Sequence, residues 1–510
     1  MRALIFSLFL AIGLTAIYLT NMEKTMNINH KEIRVAFPMV DLGLDPHLLD
    51  DWFSMVVVLQ VHRGLFRFAP SGELLPDIVE TYSVSSDKKT YKFKLRPQNF
   101  SDGTPITARD VVNSFARIFY RNAAIGSDIN YIKGASAFRD SENLEKLGIR
   151  SVSKDEVEFS LERPTSLFFT HLAAVDCAIV KMSSFKDNYS VQVGTPVSGP
   201  YRVESYSKNR VVLSKWREDQ LESKKPPISL VFQGSEKQPV ALGLNDEIDS
   251  LDHDVVTDSD KEKLLALGWT RSATEAVAEK FVLVNPKKVS NEVRAYLYSK
   301  VDSKRLVDDL QLDGLIPAHG LIPTGMPGEL PEEGSPRPAG DSMSSPSGEI
   351  LLEFVDSNPI DKSVAIYLKE LWETNTFKVI MKAIDRQEQL KIVGDNDCNV
   401  CITGKGADYP DGYSILSYFE SSYDGNFYGV SSAEIDKLLK SAVAEYDQVK
   451  RVELYLEIQK VILKENAIIP LFFGSKASGL WGPRIANVPA HPLGMHFLSF
   501  ETIEMAGGVE

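Results

Sequence analysis

Cysteine is nearly absent from the sequence, with three residues in 510, and that excludes a disulfide-rich scaffold. Histidine is scarce too, and eight scattered residues leave little material for a multi-ligand metal centre. Positive charge is in deficit: 56 Lys and Arg face 70 Asp and Glu, a net charge of −14, so no nucleic-acid partner is expected. Recognisable catalytic motifs are missing as well. There is no GxSxG elbow, no HExxH, no GxxxxGK(S/T) and no GxGxxG opening a helix after a strand, which lowers the expectation of an enzyme. Beyond residue 30 no stretch approaches the ~18 apolar residues of a membrane span, and no internal repeat is found.

What is present is an ordinary globular composition, 43% hydrophobic and 25% charged, long enough for about three units at ~150 residues each. The amino end differs. Met1-Arg2 is followed by 17 almost unbroken apolar residues, 3–19, before Glu23 and Lys24, which reads as an export signal. The run is long for a signal and no clean A-x-A site follows, so residues 1–24 fit either a cleaved signal peptide or a retained membrane anchor. No cysteine precedes Cys177, so an N-terminal lipid is not expected. The rest of the chain is expected outside the cytoplasm, in the periplasm.

Periodicity supplies the elements. Residues 32–37 (EIRVAF) and 91–96 (YKFKLR) alternate as half-buried strands. Thr107 with Asp110 resembles a capping box opening a helix through Val111, Phe115 and Ile118. Residues 157–161 and 201–213 read as strands. The segment 323–348 holds six Pro, five Gly and five Ser, a long surface connection or mobile loop. A strand (349–355), a helix (364–373) and a strand (378–384) follow, a βαβ pattern suited to a mainly parallel sheet. Ser431 and Glu434 cap a helix through Val443, and another runs from about 448 to 464.

Few residues carry chemistry. His491 and His496 share no helix face and fit packing or surface positions. Cys398 and Cys401 form a CxxC on a strand, where residues three apart point to opposite faces, so a bridge would be strained and simple packing is expected. The stretch 403–412, TGKGADYPDG, stands out: two glycines after a strand let backbone approach a ligand, and Asp408, Tyr409 and Asp411 add carboxylates and an aromatic at a strand end. On these residues alone, a polar turn with a solvated aspartate fits better.

A set of motifs in one order bears on that choice. Asp45-Pro46-His47, Gly64-Leu65-Phe66, PDIVE at 76–80 and FSDGTPITARDV at 100–111 precede Ser198-Gly199-Pro200-Tyr201, Glu247-Ile248-Asp249, Asn285, Val293-Arg294-Ala295, Asp302 and Ala407-Asp408-Tyr409-Pro410-Asp411. From about 32 to 500 the sequence resembles the extracytoplasmic solute-binding proteins of peptide and nickel ABC importers (family 5), of the oligopeptide-binding type. The resemblance implies an α/β, two-lobed periplasmic-binding-protein fold with an extra inserted subdomain, its mixed sheets flanked by helices. Lobe I would combine 32–62, 180–272 and 474–510. The inserted subdomain would cover 63–179, and lobe II 275–470 with the Pro/Gly/Ser loop 323–348. The lobes would close about crossings near 272 and 474.

In such binders an aspartate of the ADY-type motif pairs with the ligand's α-ammonium group, which implies that role for Asp408. The same resemblance puts Lys405, Gly406, Ala407, Tyr409 and Phe281 in the ligand-binding set, with an early strand at Asp50 to Trp52 and a cleft tyrosine at Tyr131. The sequence also departs from the pattern. Lys405 replaces an aromatic, and Ile402 and Val393 stand where basic partners for a ligand carboxylate belong. The implied function is a receptor that captures short peptides for an ABC permease and its ATPase subunits, monomeric, non-enzymatic and without cofactor or metal. A second reading is a same-family receptor for a modified peptide, a cell-wall fragment or a metal chelate. An exported hydrolase is a distant third, because its nucleophile and base are missing.

Overall fold

The computed structural model describes residues 31–506, apart from 39–41, 50, 208, 218–224, 236–238, 252–257, 273–277, 313, 333–343, 423–425, 427, 431, 475–478, 490 and 492–496. The expected export segment, and the segments 273–277 and 475–478 that directly follow the expected lobe crossings near 272 and 474, lie outside the described residues. No described helix is long and apolar enough to cross a membrane.

Three larger sheets organise these residues. The first has seven strands built around Glu32–Pro38, which runs parallel to Ser229–Ser235 from Glu32↔Ser229 to Pro38↔Ser235. Its alternation puts Ile33 and Val35 into the core, while Arg34 on the other face bonds Asp249, which Arg484 also holds. The second is a four-stranded antiparallel sheet, Val79–Val84, Thr90–Leu95, Glu156–Ser160 and Ile149–Ser151, backed by the helix Ala108–Tyr120. That helix starts where expected, the Asp110 carboxylate accepting from Thr107 N (2.8 Å) and Oγ1 (2.6 Å). Tyr91, Phe93 and Leu95 form the buried face of their strand.

The third sheet has six strands in the order Ile316–Pro317, Ile468–Phe473, Ala278–Val284, Val400–Gly406, Gly348–Val355, Phe377–Ile384. The βαβ unit is there, with Gly348–Val355 parallel to Phe377–Ile384 across the helix Pro359–Trp372. Beyond Val400–Gly406, however, every pairing is antiparallel, because the neighbouring strands come from distant segments and not from successive crossovers. The sheet is mixed, not mainly parallel.

Other expectations are corrected locally. Residues 201–213 form a hairpin of Tyr201–Ser207 and Arg210–Lys215, since the polar residues between break the strand. The helix Ala433–Ala444 is capped by Ser432, whose hydroxyl accepts from Ile435 N, one residue after the expected Ser431. The start of the Pro/Gly/Ser segment is packed: Met326 and Leu330 are buried, and Gln459 donates to the Gly328 carbonyl (2.7 Å). Trp52 begins the helix Trp52–Val61 and no strand, because Asp51 accepts from Ser54 N and caps an apolar run.

The motif residues are structural posts. Arg117, fully buried in the helix Ala108–Tyr120, grips both Asp45 oxygens (2.9 and 2.6 Å) and His47 Nδ1 (3.0 Å), while His47 Nε2 meets the Ala178 carbonyl. Asp45-Pro46-His47 thus fastens the four-stranded unit to the seven-stranded one. Gly199 must lack a side chain, because a Cβ there would lie 2.5 Å from the Val61 carbonyl carbon. Asn285 satisfies the carbonyls of Asn396 and Cys398, and Arg294 donates to the Glu465 carbonyl beyond the helix Gln448–Lys464. Removing Arg117 strands a largely buried carboxylate, so Arg117→Met should cost about 3–5 kcal/mol in urea unfolding. Lys94→Met, which breaks an exposed 3.5 Å pair with Glu80, should cost under ~1 kcal/mol. Equal losses would contradict this assignment.

Candidate ligand-binding site

The strand Val400–Gly406 lies in the interior of the six-stranded sheet, and the chain leaves it at Ala407 into a pinned turn. Asp408 N donates to Ser414 Oγ (2.6 Å), and Asp411 accepts from Tyr455 OH (2.5 Å) and Tyr413 N (3.0 Å). Buried Asp411 also faces Arg451 at 3.4 Å. Held this way, the turn presents the Asp408 carboxylate outward, its side chain 59% exposed. Lys405 Nζ contacts both carboxylate oxygens (3.3 and 3.1 Å), lies 4.4 Å from the centre of the Tyr418 ring, and Tyr418 OH donates to Oδ2 (3.3 Å).

Asp408 faces an open cleft whose other walls are Met55, Leu59, Phe66, Ala174, Val175 and Phe497, with Arg63 and Asp77 among its polar groups. Arg63 is ion-paired to Asp77 and Glu501, so its charge is already compensated. The neighbourhood of Asp408 is acidic. Asp176, in the short helical turn Val175–Cys177, keeps some surface contact with solvent, yet the protein crowds its carboxyl. Burial, then the Asp408 carboxylate and then that of Asp128, push it up to about 7.

A second set of contacts joins the four-stranded unit to this turn. Tyr131 OH shares a 2.7 Å hydrogen bond with His171 Nδ1, and His171 Nε2 lies 3.5 Å from Tyr409 OH, the His171 and Tyr409 rings meeting edge to face at 5.3 Å. Burial holds His171 down at about 3, so it is neutral. Ser166 donates through N and Oγ to the Val443 carbonyl (2.9 and 3.0 Å), and Tyr446 OH donates to the Thr165 carbonyl.

The expected site residues divide accordingly. Asp408 and Lys405 meet at the cleft. Tyr409 is buried and turned toward His171, and Tyr131 reaches it only through that imidazole. Ala407 is core, and Phe281 is 2% exposed with its edge on Tyr428 at 5.5 Å. The glycines differ in role. A Cβ on Gly404 would strike the Glu279 carbonyl at 2.5 Å, so its smallness serves strand packing, whereas Gly406 has open space at its Cβ position. Asp50 and the Trp52 side chain lie outside the described residues.

Cys398 and Cys401 are buried, unpaired thiols; burial pushes the first up to about 12 and the second higher still. Among the described residues no group of three or more His, Cys, Asp or Glu could hold a metal ion. Stacked on Phe497, His491 is a packing residue, and His496 lies outside the described residues. Sequence reasoning missed His171, Asp176 and Tyr418, which stand in no motif and reach the site only through long-range packing.

Comparison with known proteins accounts for the shared motifs. The dipeptide-binding protein DppE of Bacillus subtilis is 23% identical over 521 residues, covering 93% of this chain and 91% of that one. The Escherichia coli murein tripeptide binding protein MppA superposes with a TM-score of 0.77 at 19% identity, over 94% of this chain and 99% of that one. Haemophilus influenzae OppA, in complex with the peptide RPPGFSPFR, gives 0.75 at 18% identity over 93% and 99%. These likenesses give the chain the two-lobed fold of peptide-binding proteins. Residues 73–427 match the model of the bacterial extracellular solute-binding proteins, family 5 middle, and the chain belongs to that family.

Proposed function

We propose that the protein is an extracytoplasmic receptor that captures short peptides by their free amino end and delivers them to an ABC permease powered by separate ATPase subunits. The observation that carries this reading is the outward-facing Asp408 carboxylate, fixed at a strand end and opening on a largely apolar cleft. Taking an ammonium out of water is costly unless a charge-assisted hydrogen bond replaces its hydration, and a pinned carboxylate does so without constraining the rest of the ligand. The Asp128 carboxylate, felt together with that of Asp408 at Asp176, adds negative potential that favours a cation. Relatives named for dipeptides and a structural neighbour holding a nonapeptide support the ligand class.

The apolar run at 3–19 supports export, with residues 1–24 either removed or kept as an inner-membrane anchor. The three sheets draw their strands from segments that support the division into lobe I (32–62, 180–272, 474–510), inserted subdomain (63–179) and lobe II (275–470). Closure of the lobes would be driven by a ligand touching both. The Asp408 turn of lobe II and the cleft wall of Met55, Leu59 and Phe497 in lobe I are the two surfaces such a ligand would bridge. The receptor acts as a monomer and makes and breaks no bond.

Asp408→Asn preserves shape and removes the charge, so calorimetry with a free-amino peptide should show a loss on the order of 2–5 kcal/mol. Amino-terminal acetylation of the peptide should cost the unmodified protein a similar amount, and both changes together less than their sum. Equal binding of free and acetylated peptides, or a silent Asp408→Asn, would overturn the reading.

Asp176 makes a separate prediction. The folded chain keeps its proton up to about pH 7, whereas unfolding returns the group to its ordinary value of 3.8. Between those values the folded state binds more protons, so the contribution of Asp176 to stability falls as pH rises through the window. Asp176→Asn should therefore stabilise the protein in urea unfolding, more at pH 8 than at pH 5. The buried histidines titrate in both proteins and cancel in the difference. A gain independent of pH would refute the charge crowding.

A further inference from the structure

The position that a ligand amine would take on Asp408 is already held by Lys405, which touches both carboxylate oxygens and is steadied over the Tyr418 ring. Two ammonium groups on one carboxylate repel each other at short range, so an incoming amine must displace this one. A destination lies close by. Glu279 is the antiparallel partner of Lys405 across the strands Ala278–Val284 and Val400–Gly406. Opposed residues share a sheet face with Cβ atoms about 5 Å apart, within the sweep of a lysine side chain. Glu279 is 3% exposed, and its Oε1 is buried without a hydrogen-bond partner. Burial holds the Glu279 carboxyl well above the usual carboxylate range, so it rests protonated and unsatisfied; an arriving ammonium would let it ionise, its proton passing to solvent. Tyr428, packed on Phe281, lies within the electrostatic reach of Lys405, Tyr418, Glu279 and Asp408 alike, which makes them one local cluster.

We propose that Lys405 is a built-in competitor for the ligand's amino group, holding Asp408 until a ligand amine displaces it and then transferring its ammonium to Glu279. The proposal rests on the reading of Asp408 as the amine subsite. It makes Lys405 and Glu279 specificity-determining residues. A neutral or acetylated amino end cannot repel the lysine, so it leaves the Lys405–Asp408 pair in place, and the cost of displacement falls only on an amine that takes Asp408. Glu279 lowers that cost only for ligands that bring their own ammonium.

The test uses the full chain, a pool of synthetic tri- to pentapeptides with free amino ends, and the same pool acetylated, with capture read by equilibrium dialysis and mass spectrometry. Lys405→Met should capture about two- to fivefold more free-amino peptide than the unmodified protein, the range set by a partly exposed ion pair, and no more acetylated peptide. Glu279→Gln should capture less. In the double variant the Glu279 change should be silent, because no lysine remains to be received. If the unmodified protein prefers free-amino peptides but Lys405→Met captures the same amount or less, the competitor role is overturned; a drop would mark Lys405 as a direct ligand contact. An equal Glu279→Gln loss with and without Lys405 overturns the transfer step. If the unmodified protein captures neither pool, the peptide reading falls and the proposal with it. Lys405 is partly exposed, so its variant decides the matter even if Glu279→Gln fails to fold.

Discussion

A carboxylate at the end of a strand can serve a ligand only if the turn carrying it stays in place, and the account depends on that constraint. Here the turn after Val400–Gly406 is fixed from behind by Asp411 against Tyr455 and Arg451, and from within by Ser414 bonded to Asp408 N. None of these partners is spent on the Asp408 carboxylate itself. Its oxygens are left to Lys405, Tyr418 and whatever enters the cleft. A polar turn with a solvated aspartate would need no such support, so the pinning favours the ligand-bearing reading of the DYPDG pattern.

The acidic surroundings work in the same direction. Asp176 comes from a short turn more than 200 residues from Asp408 in sequence, and the proximity of the two like charges, felt as the raised proton affinity of Asp176, is unfavourable in isolation. Folding that crowds carboxylates at one place tolerates the repulsion best when a cation arrives to relieve it. Lys405 supplies a partial, internal form of that relief at Asp408 and none that the structure records at Asp176. The neutral Tyr131, His171 and Tyr409 line beside it adds shape without charge.

Much of the fold was legible because its signals are local. Alternation exposed the strands at 32 and 91, and the Thr107 and Asp110 pair marked a helix start within three residues of sequence. The motif residues were legible as a set, and the structure explains several of them as packing devices: Arg117 needs Asp45 and His47, Gly199 leaves room for the Val61 carbonyl, and Asn285 closes two loop carbonyls. What was hidden depends on contacts between distant segments. Strand direction in the six-stranded sheet, the helix at Trp52, the role of Gly404, and the arrival of His171, Asp176 and Glu279 beside the Asp408 turn have no short-range signature. Phe281 misled for the same reason, since an aromatic on a strand near the site can face the core as readily as the cleft.

The central claim is that the cleft recognises a solute through a free amine on Asp408. Its most direct test is to expose the protein to a peptide-rich digest, purify it without denaturation, release what it retains and identify that material by mass spectrometry. The account predicts short peptides bearing an unblocked primary amine, retained in stoichiometric amount by the unmodified protein and lost from Asp408→Asn. A stoichiometric solute with no amino group, retained equally by both proteins, would contradict it.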